Sequence, residues 1–226
     1  MDSRLYCLCL TLSLALAGRA TAQEPSWHDS LRVLNQQIAQ HPGSTDLRLK
    51  KAAVNIELGQ WDYAAEEYGR VLHLDARNLA AHYYRAYVYV HLRQYGLARA
   101  DYEQLLAQNP LHFEGRLGLV SVLQRLNRVT DSRDELNRLV QMFPDSALAY
   151  AARAAFETER KEYETALYDW DQAIERDPKN ADLVVSKVDV LITLRRYDEA
   201  RRTLGEALER GVPRYALREW MEKVGR

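Results

Sequence analysis

The chain has 226 residues, with 31 Lys+Arg against 32 Asp+Glu and a formal net charge of −1 at pH 7. That balance lacks the concentrated positive footprint of a nucleic-acid binder, and no polybasic stretch suggests attachment to an anionic membrane. The length allows one or two ordinary domains, but internal repetition makes a single solenoid the better count.

Residues 5–17, LYCLCLTLSLALA, form an apolar run of 13, too short to cross a bilayer, which takes about 20. Arg4 precedes the run and Ala20-Thr21-Ala22 follows it as a small-x-small cleavage site. Residues 1–22 therefore read as a secretory signal peptide cut after Ala22, with Gln23 the mature start. Asp2 offsets Arg4, and a short membrane anchor is the rival reading; the cleavage motif favours the signal. Cys7 and Cys9 both lie inside this segment, so the mature chain has no thiol for a disulfide, a metal or a nucleophile. They sit upstream of the cut rather than directly after it, which does not support a lipid-anchored N-terminus. Loss of Asp2, Arg4 and Arg19 leaves 29 Lys+Arg against 31 Asp+Glu. The expected location is secreted or periplasmic, without stable membrane insertion after signal removal. A bacterial periplasm is preferred, and a eukaryotic secretory lumen stays open.

The rest of the chain lies on a 34-residue ruler. Pro42, Pro110, Pro144 and Pro178 share one mark, with Ala76 on the skipped one; Trp61, Tyr95, Val129, Tyr163 and Tyr197 share another. A period of 34 with helical content specifies stacked helix pairs. Residues 23–44 supply a half-repeat, with Trp27, Leu34, Ile38 and Pro42 in register. Five units follow, at 45–78, 79–112, 113–146, 147–180 and 181–214, and residues 215–226 form a capping helix carrying Tyr215, Leu217, Trp220 and Val224. Each unit is expected to open with an amphipathic helix of about 13 residues and turn near its fifteenth position. Gly59 suits that turn, while Arg93, Asn127, Lys161 and Arg195 hold the same place. A second helix then runs to the proline, which cannot continue it. Ser44-Thr45-Asp46 offers N-cap side chains to the first unit.

Small residues recur where helices must approach: Ala52, Ala86 and Ala154 in first helices, Ala64, Ala98, Ala166 and Ala200 in second ones. Tyr68, Tyr102, Leu136, Trp170 and Leu204 fill the space between. This small–large–aromatic–alanine–proline pattern resembles the tetratricopeptide repeat (TPR) family over residues 45–214. The resemblance implies an all-α fold, a right-handed α-solenoid of helix-turn-helix repeats. The seventh position is basic in four units (Lys51, Arg85, Arg153, Lys187), and an acid lies sixteen residues later in three of them (Glu67, Asp101, Asp169). Ion pairs across these helix pairs are expected, because a feature repeated from unit to unit serves structure rather than an active site.

In the TPR family the second, fifth, ninth, twelfth and thirteenth positions of the first helices line a concave groove. Carried over, they are Asp46, Leu49, Ala53, Ile56 and Glu57, then Ala80, Tyr83, Tyr87, Val90 and His91. The third unit gives Glu114, Leu117, Ser121, Gln124 and Arg125, the fourth Leu148, Ala151, Ala155, Thr158 and Glu159. The fifth gives Asp182, Val185, Asp189, Ile192 and Thr193. Among these, Leu49, Tyr83, Tyr87, Val90, His91, Leu117, Arg125, Ala151, Ala155 and Val185 are the candidate contacts for a protein or peptide partner. Tyr83 and Tyr87 offer aromatic faces with hydroxyl tips, suited to recognition, or else fill space between units. Ala151 and Ala155 should leave room for an inserted side chain. The carboxylate clamp of many cytoplasmic relatives is missing, since Leu49, Ala53 and Tyr84 stand in its places. The third unit departs most from the pattern, with Gly115, Gly118, Val129 and Thr130-Asp131-Ser132. Helix glycine costs about 1 kcal/mol relative to alanine, so this unit is expected to be the softest joint.

No phosphate-cradling glycine loop, HExxH or G-x-S-x-G motif occurs, and no N-x-S/T sequon. His28, His41, His73, His82, His91 and His112 show no helical pairing that would chelate a metal. No cofactor, metal site or catalytic residue is expected, and the reading is non-enzymatic. The chain is expected to be an extracytoplasmic scaffold binding a partner in its groove; the alternative is an architectural subunit of a cell-envelope assembly, bound through its convex face or its ends.

Overall fold

A computed structural model of the protein describes residues 26–225; the expected signal peptide at 1–22 lies outside them. Every regular element among the described residues is a helix. A single helix, α1 (Trp27–Gln40), leads into five pairs: α2 (Thr45–Glu57) with α3 (Trp61–Leu74), and α4 (Leu79–His91) with α5 (Tyr95–Gln108). The third and fourth pairs are α6 (Phe113–Arg125) with α7 (Val129–Met142), and α8 (Ala147–Glu159) with α9 (Tyr163–Arg176). The last is α10 (Ala181–Thr193) with α11 (Tyr197–Glu209), closed by α12 (Arg214–Val224). The protein is an all-α helical repeat solenoid.

Local chemistry explains the boundaries. The residue before each first helix accepts a backbone N–H with its side chain. Ser44 accepts from Leu47, Asn78 from Ala81, His112 from Gly115, Ser146 from Ala149 and Asn180 from Asp182. Each cap satisfies one of the donors that a helix start leaves unpaired. The turn inside every unit needs a left-handed residue at the fifteenth position. Gly59 (φ +67°) adopts it freely, while Arg93, Asn127, Lys161 and Arg195 adopt it at φ 55–62°. The proline mark has a different role from the one expected. Second helices end at Leu74, Gln108, Met142 and Arg176 alike, although Ala76 replaces proline after the first. In all four a non-helical residue follows (φ −129° to −140°), its N–H still bonded four residues back. The inter-unit turn thus sets the stop, and proline fits it without being required.

Packing follows the small–large alternation. Ala52, Ala64, Ala86, Ala98, Ala154, Ala166 and Ala200 are fully buried and let helix axes approach. Tyr68, Leu136 and Leu204 fill the intervening space at 0–2% exposure. The largest core cluster runs from Leu139 to Val224, so α12 seals the last pair through Leu217 and Val224. At the other end α1 has no first helix of its own among the described residues, and Trp27 (51%) and Val33 (43%) are exposed.

The irregular third unit has a steric cause. A Cβ on Gly115 would stand 2.5 Å from Leu105 Cδ2, and one on Gly118 would stand 2.6 Å from Tyr102 Oη. Side chains of α5 occupy the space that alanine would need, so these glycines permit close approach of α6.

Candidate partner-binding face

The repeated charges are brought together inside the helix pairs. Arg85 Nε donates to Asp101 Oδ2 at 2.7 Å, Arg153 Nε to Asp169 Oδ2 at 2.5 Å, and Lys51 Nζ lies 2.9 Å from Glu67 Oε1. These acids are 1–3% exposed, so each carboxylate needs its partner. Lys187, facing Thr203 in place of an acid, pairs instead with Asp171 of the preceding helix at 2.6 Å.

A second layer was not legible from the seventh-position pattern. At the fourth position Arg48 and His82 reach the same acids, at 3.0 Å from Glu67 and 2.9 Å from Asp101, and Arg116 pairs with Glu135. Each also reaches back to a carbonyl of the preceding turn. Arg48 donates to Pro42 O at 2.9 Å, Arg116 to Pro110 O at 2.8 Å, and the His82 ring lies 3.1 Å from Ala76 O. In the fourth unit Tyr150 holds this position, and Arg176 of α9 takes over the carbonyl, donating to Pro144 O at 2.6 Å. Its guanidinium lies 4.1 Å over the Tyr150 ring. In the first four units these side chains therefore lock the unit to its own second helix and to the turn before it.

The opposite face of the first helices carries the candidate contacts. Adjacent first helices approach one another, α4 against α6, and α10 meets α12, which takes the place of a next first helix. The family resemblance makes this row of first helices the expected inner side of the array. Along this face the fifth position is half-buried in Leu49, Tyr83, Leu117 and Val185 and buried in Ala151, while the second and thirteenth positions are exposed.

The candidate residues fall into separate groups. Tyr83 and Tyr87 diverge. Tyr83 stacks on the His112 ring at 5.2 Å and meets Tyr102 edge-on at 6.2 Å. Tyr87 turns towards α3, with its ring 6.3 Å from Trp61 and 4.5 Å from His91. His91 lies flat on Trp61, at 4.1 Å and 4°. Partial burial in this stack holds the His91 pKa below the usual imidazole value. In the sequence Trp61 shows only as a repeat marker and His112 only as an unpaired histidine; their helix-start positions give no sign that they cover groove tyrosines. Val90 packs with Tyr83 on the cluster around Leu105, and Leu49 on the one around Tyr68. Leu117, Ala155 and Val185 pack on the C-terminal cluster. Ala151, at 8% exposure, belongs to that cluster, so the alanines draw helices together instead of leaving an open recess. Arg125 is exposed at the end of α6.

Among the described residues no group of three or more His, Cys, Asp or Glu could hold a metal ion, and no helix is long and apolar enough to cross a membrane.

Comparison with known proteins gives this geometry a family. One tetratricopeptide repeat family model matches residues 49–112, 88–147 and 117–182, and a second matches 157–218. The curated DnaJ homolog subfamily C member 7 homolog of Dictyostelium discoideum is 22% identical, over 68% of this chain and 38% of that protein. The chain thus spans well under half of that relative. Among solved structures, YrrB, a TPR protein with an unusual peptide-binding site, aligns with a TM-score of 0.60 at 19% identity. The alignment covers 79% of this chain and 92% of YrrB. MamA aligns at 0.63 and 19% identity, covering 73% and 90% of the two chains. A tetratricopeptide repeat protein from Parabacteroides merdae aligns at 0.59 and 19%, covering 88% and 78%. At such identities the structures attest the fold alone. With the family models spanning most of its length, the chain belongs to the tetratricopeptide repeat family.

Proposed function

We propose that the protein is a non-enzymatic scaffold of an extracytoplasmic compartment that holds a protein or peptide segment along the inner row of first helices. TPR proteins bind proteins or peptides, and YrrB has a peptide-binding site. The observation that carries the groove is the surface itself. A half-buried apolar row at the fifth position runs beside the aromatic group of Tyr87, His91 and Trp61, and Tyr87 is still 36% exposed. Rigid amphipathic rings beside an apolar floor are the anchors that partner side chains use. The recurring charges, by contrast, are taken up by carboxylates of the second helices.

A photo-crosslinking amino acid at Tyr87 tests this directly in the native compartment. Adducts of one defined partner at Tyr87, and none from Tyr168 on the outer second-helix face, support the groove. Adducts from Tyr168 alone reject it. The alternative, an architectural subunit bound through its ends, is favoured by the exposed Trp27 and by Tyr215, which is 80% exposed; crosslinks confined to those two sites would establish it. The compartment is tested separately, by sequencing the N-terminus of the native protein. Gln23 as the first residue of an exported protein is expected, and an intact Met1 in the cytoplasm would reject the export reading.

A further inference from the structure

We propose that the inner face selects a partner segment in which Lys or Arg alternates with apolar side chains. This inference rests on the groove reading above and names the chemistry of its ligand. It comes from how charge is partitioned around each first helix. The cations at the fourth and seventh positions, such as Arg48, Lys51, Arg85 and Arg153, are neutralised by buried acids of the second helices. The inner positions carry the reverse sign. Asp46, Glu57, Glu114, Glu159, Asp182 and Asp189 are all exposed there, against Arg125 alone. Lys50 answers Asp46 at 2.7 Å, and the Trp220 indole N–H donates to Asp189 at 2.7 Å. Among the described residues Glu57, Glu159 and Asp182 have no cation within 4 Å. A chain close to neutral overall therefore turns a negative field towards its groove.

Fold stability does not account for two of these acids. Asp46, Glu114 and Asp182 sit in first turns, where a helix start favours negative charge. Glu57 and Glu159 are the last residues of α2 and α8, where the helix dipole opposes them and no basic residue compensates in the last turn. Asp46 and Glu57 stand at the two ends of α2, roughly 16 Å apart at 1.5 Å per residue. Glu114, Asp182 and Glu159 flank the apolar fifth-position row at one end each of α6, α10 and α8. The row offers apolar contact and its flanks offer carboxylates, which fits a basic, partly apolar segment and repels an acidic one.

The test selects peptides from a fully randomised displayed library on the protein purified as its host processes it. Selected peptides enriched in Lys and Arg between apolar residues are expected. A Tyr87→Ala/His91→Ala variant should release them, and raised salt should weaken them. A Glu57→Lys/Glu159→Lys variant should bind them about tenfold more weakly, since two flanking contacts change from attraction to repulsion. The same variant should melt no earlier than the parent, because both changes suit a helix C-terminus, so lost binding cannot be put down to misfolding. Neutral or acidic peptides that still depend on Tyr87 would overturn the charge proposal and leave the groove reading standing. Peptides indifferent to Tyr87→Ala/His91→Ala, or no enrichment at all, would overturn the groove reading and this proposal with it.

Discussion

Gly118→Ala sets helix propensity against packing, and the two predict opposite signs. Alanine in place of glycine within a helix gains about 1 kcal/mol from propensity. Position 118 lies within α6, so that gain is available. The new Cβ would stand 2.6 Å from Tyr102 Oη and 2.7 Å from Tyr102 Cε1. Tyr102 is 4% exposed and sits in the cluster with Leu105, Leu119 and Val122, so its ring cannot swing clear without opening that core. Overpacking of this kind costs about 1–3 kcal/mol. Packing should win by about 1 kcal/mol, lowering the melting temperature by roughly 2–4 °C for a chain of this size. Thermal and urea unfolding followed by helical circular dichroism measures it. A second variant, Tyr102→Leu with Gly118→Ala, removes the ring and should recover the propensity gain relative to Tyr102→Leu alone. If Gly118→Ala were instead more stable than the parent by about 1 kcal/mol, the close-approach reading would be wrong. Hydrogen exchange over 113–135, compared with the flanking units, decides separately whether the third unit is the soft joint that its glycines suggest.

Further outcomes follow from the same structure. Arg93→Gly, Lys161→Gly and Arg195→Gly should each stabilise the fold by about 0.5 kcal/mol, the relief of a left-handed side chain less the extra unfolded-state entropy of glycine; unfolding midpoints report it. Asp101→Ala should cost about 3 kcal/mol, because it strands Arg85 and His82 around a site where Asp101 is 3% exposed, and a loss under 1 kcal/mol would place the pair with weak surface bridges. Glu157 is 7% exposed, its Oε2 has no hydrogen-bond partner, and burial with the nearby Asp169 charge pushes its pKa up. Its folded pKa exceeds its unfolded one, so the native state binds more protons in that window and stability is lost as pH rises from about 4.5 through the folded pKa. Glu157→Gln should match the parent at pH 4 and exceed it at pH 7; equal urea midpoints at both values would contradict this.

How far the sequence could be read depends on whether a residue's environment recurs. Tyr95, Tyr163 and Tyr197 each begin a helix because one inter-helix turn is built five times, and the same turn forces Arg93, Lys161 and Arg195 into a conformation glycine would prefer. Periodicity exposes such positions, since every unit solves the same packing problem. The seventh-position pairs were legible for that reason. The fourth-position layer was not, because Arg48, His82, Arg116 and the Arg176–Tyr150 pair solve one problem with four different side chains. Only the backbone carbonyl they reach is constant, and a sequence does not display carbonyls. The groove is harder still. Tyr83 and Tyr87 stand one turn apart on α4, yet His112 draws one ring towards α6 and Trp61 draws the other towards α3. Spacing along one helix fixes which face a side chain leaves from, whereas its direction is settled by neighbours from adjacent units. The acids Glu57 and Glu159 invert this logic: they break the rule that helix ends set for charge, and nothing repeated in the other units excuses them. Glu209 ends the second helix α11 in the same way, so it is the place of Glu57 and Glu159 beside the apolar row of first helices, and not the helix-end acid alone, that a repeat leaves as a signal for binding.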